Sequence, residues 1–251
     1  MQGAVRLIIP GEIKLNGSIS IDRAEVLRYL GYMGQEIDAE LSALIDENIK
    51  KCRDISRPRY CWKISSLTIS DDDVSIPGSA LVLRGKDLAR HLSGAEKVAV
   101  MAATLGTSFD AGMKAIQSRS VTSGLIFDAC GSEYIEKVCD AAEEEIRSQI
   151  KSEGLLTLPR FSPGYGDLSI SHQKEILRYL DAERRIGLTC TESCIMLPRK
   201  SVTAIIGLTD KNKIEESGSL SSGACDICQF RDHCILKKEG RYCGRKRISE
   251  E

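Results

Sequence analysis

Residues 160–165 have the sequence Arg-Phe-Ser-Pro-Gly-Tyr, and residues 188–193, which begin 24 positions after Gly164, have the sequence Leu-Thr-Cys-Thr-Glu-Ser. The first segment combines the guanidinium of Arg160, the bare backbone of Gly164 and the ring of Tyr165. An arginine binds a carboxylate through two parallel hydrogen bonds, a glycine lets a ligand approach the backbone, and a tyrosine offers an apolar face with a polar tip. These groups suit a small zwitterion that carries a flat heterocycle, and S-adenosylmethionine meets that description.

The same loop also has a purely structural interpretation. Proline and glycine between two elements are typical of an ordinary turn, and Arg160 would then pair with a local carboxylate. From these residues alone the turn is the better interpretation. Thr-Glu-Ser at residues 191–193, followed by Met-Leu-Pro at residues 196–198, favours ligand binding because the whole ordered series resembles a known family.

The ordered series Arg-x-x-x-Gly-Tyr, Thr-Glu-Ser and Met-x-Pro resembles the activation domain of cobalamin-dependent methionine synthase. The resemblance is strongest over residues 98–208 and is specific around residues 160–198. Upstream, Ala-Thr-Leu-Gly at residues 103–106 and Asp-Ala-Cys-Gly-Ser-Glu at residues 128–133 are similar to stand-alone relatives of that domain.

The resemblance implies a role for each residue of the loop. Arg160 would bind the carboxylate of S-adenosylmethionine, and the backbone and ring of Gly164 and Tyr165 would hold the adenosine. Glu192 would accept a hydrogen bond from the amino group or order its own turn. Asp128 is a further candidate for the ligand site, because the small residues beside it permit close packing.

The resemblance also implies a function. S-adenosylmethionine would give its methyl group to a cobalamin that is held by a partner methionine synthase and has been reduced after oxidation. Such a protein needs no acid, base or nucleophile of its own, because its contribution is to position the two reactants. None of the three histidines lies beside a serine or cysteine in a recognisable catalytic arrangement, and no phosphate-binding glycine loop is present.

The pattern of apolar residues predicts an α+β fold with an antiparallel sheet packed against helices, since strands and helices do not alternate regularly. The resemblance implies the same fold. We expect helices at residues 22–30, 36–55, 108–119, 121–153 and 173–180, the last capped by Ser171. We expect strands at residues 60–69, 98–103, 185–188 and 201–208. Most of the acidic residues at helical spacing within 121–153 are expected to be solvated, and Asp128 is the expected exception.

The composition excludes several classes of function. The chain has 251 residues, 42% of them hydrophobic and 28% charged, with a net charge of −1. The charge gives no reason to expect binding to nucleic acid or to an anionic membrane. Apolar stretches are far shorter than the roughly 20 residues of a membrane helix. The start of the chain lacks the basic lead of a secretory signal, so we expect a cytoplasmic location.

Of the ten cysteines, six are scattered singly or in loose pairs and four are crowded into residues 225–243. Cys52, Cys61, Cys130 and Cys139 have apolar neighbours and are predicted to be small core residues. A second group of four, at the C-terminal end, has the spacing of a zinc site or of an iron–sulfur cluster, and the spacing does not choose between them. Its members are Cys225, Cys228, Cys234 and Cys243. Basic residues around them would stabilise thiolates and would suit docking of an acidic electron donor such as a flavodoxin or ferredoxin.

Four segments and three functions follow from the sequence. The segments are an N-terminal α+β portion at residues 1–95, a core that binds S-adenosylmethionine at 96–210, a linker at 211–224 and a Cys-rich module at 225–251. The first function is reactivation of a partner methionine synthase. The second is reactivation or electron transfer, through an iron–sulfur cluster, for another corrinoid methyltransferase. The third is a non-enzymatic interaction protein that is stabilised by zinc.

Overall fold

The structure is a computed structural model that describes residues 19–210. Its helices are α1 (Arg23–Tyr29), α2 (Ala39–Ile55), α3 (Lys86–His91), α4 (Thr107–Gln117), α5 (Val121–Ile150), α6 (His172–Leu180) and α7 (Ala182–Ile186). Its strands are β1 (Arg59–Ser66), β2 (Thr68–Ile69), β3 (Asp73–Ser75), β4 (Val82–Arg84), β5 (Lys97–Thr104), β6 (Leu155–Thr157), β7 (Thr189–Cys190), β8 (Met196–Leu197) and β9 (Ser201–Asp210).

A four-stranded antiparallel sheet with the strand order β1-β5-β9-β6 forms the centre of the fold. In its register Trp62 lies opposite Met101, and Val100 lies opposite Ile205. Two smaller antiparallel sheets accompany it, β2-β3-β4 and β7-β8. The predicted α+β class with antiparallel sheets and packed helices is therefore confirmed for the described residues.

Both faces of the central sheet are covered. Successive side chains of a strand point to opposite faces, so Ala99 and Met101 pack against α5 while Val98 and Val100 pack against α3, α6 and α7. Every residue of β5 after Lys97 is buried. This double burial explains why the strand has a continuous apolar run instead of an alternating pattern.

Helix α5 is the longest element, with 30 residues. The Ser120 hydroxyl accepts a hydrogen bond from the Ser123 amide and caps its start. Gly131 lets the Phe109 ring of α4 approach closely, since a Cβ atom at residue 131 would lie 2.3 Å from Cζ of that ring. The four singly placed cysteines predicted to lie in the core are buried, which confirms that prediction.

The structure corrects three local predictions. Residues 182–186 form helix α7, not a strand at 185–188, because Asp181 and Gly187 both adopt the left-handed conformation and bound a single turn of helix. Ser171 precedes α6 but makes no capping bond with its side chain. Glu133, expected to be solvated, is 3% exposed beneath α1.

Residues of the first 95 positions contribute to the same core as the later ones. Strand β1 pairs along its whole length with β5, and α2 packs on α5. The proposed boundary at residue 95 stays a prediction about organisation, and the central sheet extends across it. The predicted linker at 211–224 and the Cys-rich module lie outside the described residues.

Candidate functional site

The segment that contains Arg160 runs along the edge of the central sheet. The Leu158 amide donates to the Gly207 carbonyl, and Phe161 and Ile205 exchange two backbone hydrogen bonds of 2.8 and 2.7 Å. These bonds continue the pairing of β6 with β9 beyond the end of the strand. The backbone on both sides of Arg160 is therefore fixed before the chain leaves the sheet.

The Arg160 side chain lies against α5 and is held by three carboxylates. Nη1 donates to Asp140 Oδ1 at 2.9 Å and to Glu143 Oε2 at 3.2 Å, and Nη2 donates to Glu136 Oε2 at 3.0 Å. Only 11% of the Arg160 side chain and 3% of the Glu143 side chain are exposed, against 44% for Glu136 and 53% for Asp140. One carboxylate is thus buried with the guanidinium, and two face solvent.

This cluster keeps Arg160 charged and fixes its orientation. Burial by itself would lower the pKa of Arg160, but Cys139 first, and then the carboxylates of the cluster, outweigh burial and raise the pKa above its ordinary value. Nε donates to no acceptor among residues 19–210. The Nε–H group of Arg160 therefore remains available on the side of the guanidinium at which a carboxylate can bind.

Glu143 is shared with a second arginine. Arg147, one turn further along α5, pairs with both Glu143 and Glu144, and its Nε donates to Thr157 Oγ1 at 3.2 Å. With Glu136, Asp140, Glu143 and Glu144 against two arginines, the region carries a formal charge of −2. The local field therefore favours a cationic or zwitterionic ligand over a polyanion.

Beyond Arg160 the chain forms a tight loop through Gly164 and Tyr165. Gly164 has a φ of +95° and no atom within 4 Å of the place where a Cβ would be, so this conformation needs glycine and leaves open space beside it. The Gly164 amide donates to the Leu168 carbonyl, and the Tyr165 amide donates to the Ser162 carbonyl. Both N–H groups are thus used within the loop, and a ligand would meet the open side of Gly164 and the ring of Tyr165.

Aromatic contacts and a helix cap hold this loop in place. Tyr165 is 62% exposed and lies edge-on to Phe161, whose ring is 5.2 Å from that of His91. His91 Nε2 lies 2.8 Å from the Pro159 carbonyl oxygen. Asp167 accepts hydrogen bonds from the first two amides of α3 at 2.8 and 3.1 Å, which ties the far end of the loop to that helix.

Glu192 lies on the turn of the β7–β8 hairpin. The Thr191 amide donates to the Ile195 carbonyl at 2.9 Å, and the Ile195 amide donates to Thr191 Oγ1 at 3.0 Å, so threonine orders the turn. Lys174 of α6 donates to the Glu192 carbonyl oxygen at 2.8 Å and anchors the hairpin. The Glu192 side chain is exposed.

Asp128 belongs to a different part of α5. Its Oδ2 accepts a hydrogen bond of 2.9 Å from Lys200, which also donates to Ser132 Oγ. Asp128 precedes Glu136 by eight residues and Asp140 by twelve, which places it about 12–18 Å along the helix axis from the carboxylates around Arg160. The structure therefore separates Asp128 from the Arg160 guanidinium, and its role in ligand binding stays a prediction.

The residues that sequence reasoning missed are the partners of Arg160. Helical spacing placed Glu136 and Asp140 on one side of α5, and they were expected to be solvated there. An arginine twenty or more positions later contacts them because β6 docks beside β9 and lies over α5. The sequence signal was the presence of acids on one side of α5, and the tertiary contact could not be predicted from it.

Two further observations concern metals and membranes. Among residues 19–210 no group of three or more histidine, cysteine, aspartate or glutamate side chains is arranged to hold a metal ion. The predicted zinc or cluster ligands Cys225, Cys228, Cys234 and Cys243 lie outside the described residues, so that prediction stays as it was. Within the described part of the chain no helix is long and apolar enough to cross a membrane.

Comparison with known proteins identifies the fold. The structure is similar to the crystal structure of the MetH reactivation domain bound to AdoHcy, with a TM-score of 0.61 and 15% sequence identity. The match covers 84% of this chain and 85% of that chain. The protein therefore has a fold like that of the reactivation domain. No protein-family model and no curated protein matches the sequence.

Proposed function

We propose that this protein binds S-adenosylmethionine and supports the reductive remethylation of a cobalamin held by a partner methionine synthase. The observation that carries the proposal is the position of the Arg160–Tyr165 loop within a fold similar to the MetH reactivation domain. In that loop a guanidinium is fixed by carboxylates, and beside it lie an open glycine and an exposed aromatic ring. The solved relative was crystallised with AdoHcy, the product that S-adenosylmethionine becomes when it loses its methyl group.

The charges around Arg160 support this ligand over an anionic one. S-adenosylmethionine carries a sulfonium, an ammonium and a carboxylate at neutral pH, so its net charge is positive. The carboxylate would accept from Nε of Arg160, and the ammonium would donate to the exposed oxygens of Glu136 and Asp140. ATP, whose charge is strongly negative, would meet the excess of carboxylates and be repelled.

The chain's own residues would act by positioning. Reduced cobalamin on the partner supplies the nucleophile, and the sulfonium methyl is the group that it receives. Arg160 and the Tyr165 ring would hold the two ends of the ligand, and the loop, fixed to the sheet at Phe161 and to α3 at Asp167, would hold the methyl in line. The gain would come from orientation, since no proton needs to move in this step.

Calorimetric titration of the full chain tests the proposal. We expect saturable binding of S-adenosylmethionine, weaker binding of S-adenosylhomocysteine, which lacks the sulfonium charge, and none of ATP. Arg160→Ala should weaken binding by about 1.5–3 kcal/mol, the range for a hydrogen bond to a charged group, which is about 10- to 150-fold. Arg160→Lys should lose much of the same affinity, because the planar fork is absent.

The matched control is Arg147→Ala. It removes a cation from the same carboxylate, Glu143, but leaves Arg160 in place, so its affinity should stay within about threefold of the wild type for a half-exposed charge. Normal binding by both Arg160 variants would assign the ligand to another part of the surface. Equal losses in the Arg147 and Arg160 variants would point to a general effect of charge.

The spacing of the C-terminal cysteines favours a second candidate, a reactivation or electron-transfer component for another corrinoid methyltransferase. Metal analysis of protein purified without air distinguishes an electron-transfer role of these cysteines from a structural one. Iron together with sulfide would support a cluster that delivers electrons to the corrinoid, whereas zinc alone would support a structural module.

A further inference from the structure

The β7–β8 hairpin contains two cysteines that the proposed function does not use. Cys190 lies on β7 opposite Met196, and Cys194 lies four residues later on the turn. Each thiol donates weakly to a backbone carbonyl of the same turn, Cys190 Sγ to Thr191 at 3.4 Å and Cys194 Sγ to Glu192 at 3.9 Å. The Cys194 thiol is close enough to raise the pKa of the Cys190 thiol, and both side chains are partly exposed. Cys194 has a φ of +64°, a conformation that is uncommon for residues other than glycine, and the turn holds it there through the bond from its amide to the Thr191 carbonyl.

A cavity opens beside this pair. It has a volume of about 310 Å³ and is lined by α6, α7 and the hairpin, with Cys190 in its wall. Its lining carries charges of both signs, the cations of Lys174 and Arg178 and the carboxylates of Asp181 and Glu183. Its volume is at the lower end of the range for small-ligand sites, and its charges suit a ligand that carries both carboxylates and ammonium groups.

We propose that Cys190 and Cys194 form a thiol–disulfide exchange site for a low-molecular-weight zwitterionic disulfide of the glutathione type. One half of the disulfide would occupy the cavity, with its carboxylates near Lys174 and Arg178 and its ammonium near Glu183. The scissile sulfur bond would then lie at Cys190, and the other half would extend into solvent. The site is separate from the Arg160 loop and does not depend on the function proposed there.

The reaction has two steps. The Cys190 thiolate attacks one sulfur of the disulfide, the sulfur–sulfur bond breaks, and one small thiolate leaves and takes a proton from water. The Cys194 thiolate then attacks the Cys190 sulfur and expels the second small thiolate. The hairpin dithiol has lost two electrons and two protons, and the small disulfide has gained them as two thiols.

The state of the Cys190 thiol sets the pH dependence of the first step. Burial raises the pKa of Cys190 above its ordinary value, and Cys194 raises it further, while Lys174 lowers it in part. Because the thiolate is the attacking species, the rate should increase from pH 7 to pH 9. Among the described residues no His, Asp or Glu shifts the pKa of this thiol.

Mass spectrometry of a single tryptic peptide tests the proposal on the full chain. Cleavage after Arg185 and Arg199 releases residues 186–199, which contain Cys190 and Cys194 and no other cysteine. The protein is incubated without air with oxidised glutathione, quenched in acid, alkylated and digested. In the wild type we expect this peptide to lack both alkyl groups and two hydrogens. In Cys194→Ser we expect a stable glutathione adduct on Cys190.

Internal controls and a charge variant make the result specific. The buried thiols of Cys52 and Cys139 should stay reduced. Arg178→Ala should slow the reaction with oxidised glutathione by up to about fivefold, the effect of one surface charge, and leave the reaction with neutral 2-hydroxyethyl disulfide unchanged. A peptide that is alkylated on both cysteines after incubation, or a Cys194→Ser protein without adduct, would overturn the exchange site. Equal slowing with both disulfides would overturn the zwitterionic substrate class.

Discussion

Replacing Arg160 with alanine removes one of the cations that contact a buried carboxylate. Glu143 is 3% exposed and Arg160 is 11% exposed, so their contact is largely shielded from water. Removing one partner from a buried ion pair typically costs about 3–5 kcal/mol. Here the loss is reduced, because Arg147 continues to pair with Glu143 and because Glu136 and Asp140 can turn towards solvent.

We therefore expect Arg160→Ala to lower the free energy of unfolding by about 2–3 kcal/mol. For a domain of this size that corresponds to a decrease in Tm of about 5–10 °C. The measurement is urea denaturation at pH 7, followed by circular dichroism, for Arg160→Ala, Glu143→Gln and the double variant. The double-mutant cycle should give a coupling energy of about 1–2 kcal/mol.

Arg147→Ala is the control in this experiment as well. Its side chain is 43% exposed, so its loss should cost less than about 1 kcal/mol. An Arg160→Ala protein within about 0.5 kcal/mol of the wild type would behave like a surface variant and would refute the view that the cluster is shielded. Additive effects in the double variant would refute direct coupling between Arg160 and Glu143.

Two other predictions concern packing and pH. Gly131→Ala should lower the free energy of unfolding, measured in urea, by about 1–2 kcal/mol, because overpacking against Phe109 outweighs the roughly 1 kcal/mol gain in helix propensity. The control is Gly112→Ala, which should be close to neutral because the nearest contact of its new Cβ is a flexible Ile55 side chain at 3.1 Å. Burial lowers the pKa of His91 in the folded protein below its ordinary value of 6.5. As the pH falls from about 6.5, the unfolded chain therefore binds a proton at this residue before the folded protein does. The free energy of unfolding decreases over this range, until the pH has passed the folded pKa. His91→Gln should remove that part of the decline between pH 7 and pH 5, and an unchanged slope would show that another group causes it.

The sequence predicted those elements whose pattern is decided locally. Strand β5 is a short apolar run, and α5 is a long stretch with helical spacing of its apolar residues, so both were predicted within a few residues of their observed limits. Helix α7 was mistaken for a strand because five residues are too few to display a helical period. Its boundaries depend on Asp181 and Gly187 in the left-handed conformation, and an aspartate gives little sign of that.

The candidate site was predicted only in its parts. Arg160, Gly164 and Tyr165 could be singled out because they lie within six residues of each other. The three acids that hold Arg160 come from another element, and only the pairing of β6 with β9 brings them together. The influence of Cys194 on the pKa of Cys190 could not be predicted from the sequence for a related reason, since it depends on the sharp turn at Cys194.

The two interpretations of Arg160, as a structural partner and as a ligand-binding residue, are compatible in this structure. An exposed arginine side chain that no neighbouring group holds loses conformational entropy when a ligand orders it. Here the α5 carboxylates have already ordered the guanidinium through Nη1 and Nη2, and no acceptor among the described residues uses Nε. A ligand carboxylate would have to approach a region of net negative charge, so a free carboxylate should bind poorly while one attached to two positive groups should bind better. The same cluster that stabilises the fold would thereby select an amino acid derivative with two positive groups over a simple anion. Neutralising the exposed carboxylates of Glu136 and Asp140 should reduce this selectivity more than it reduces the free energy of unfolding.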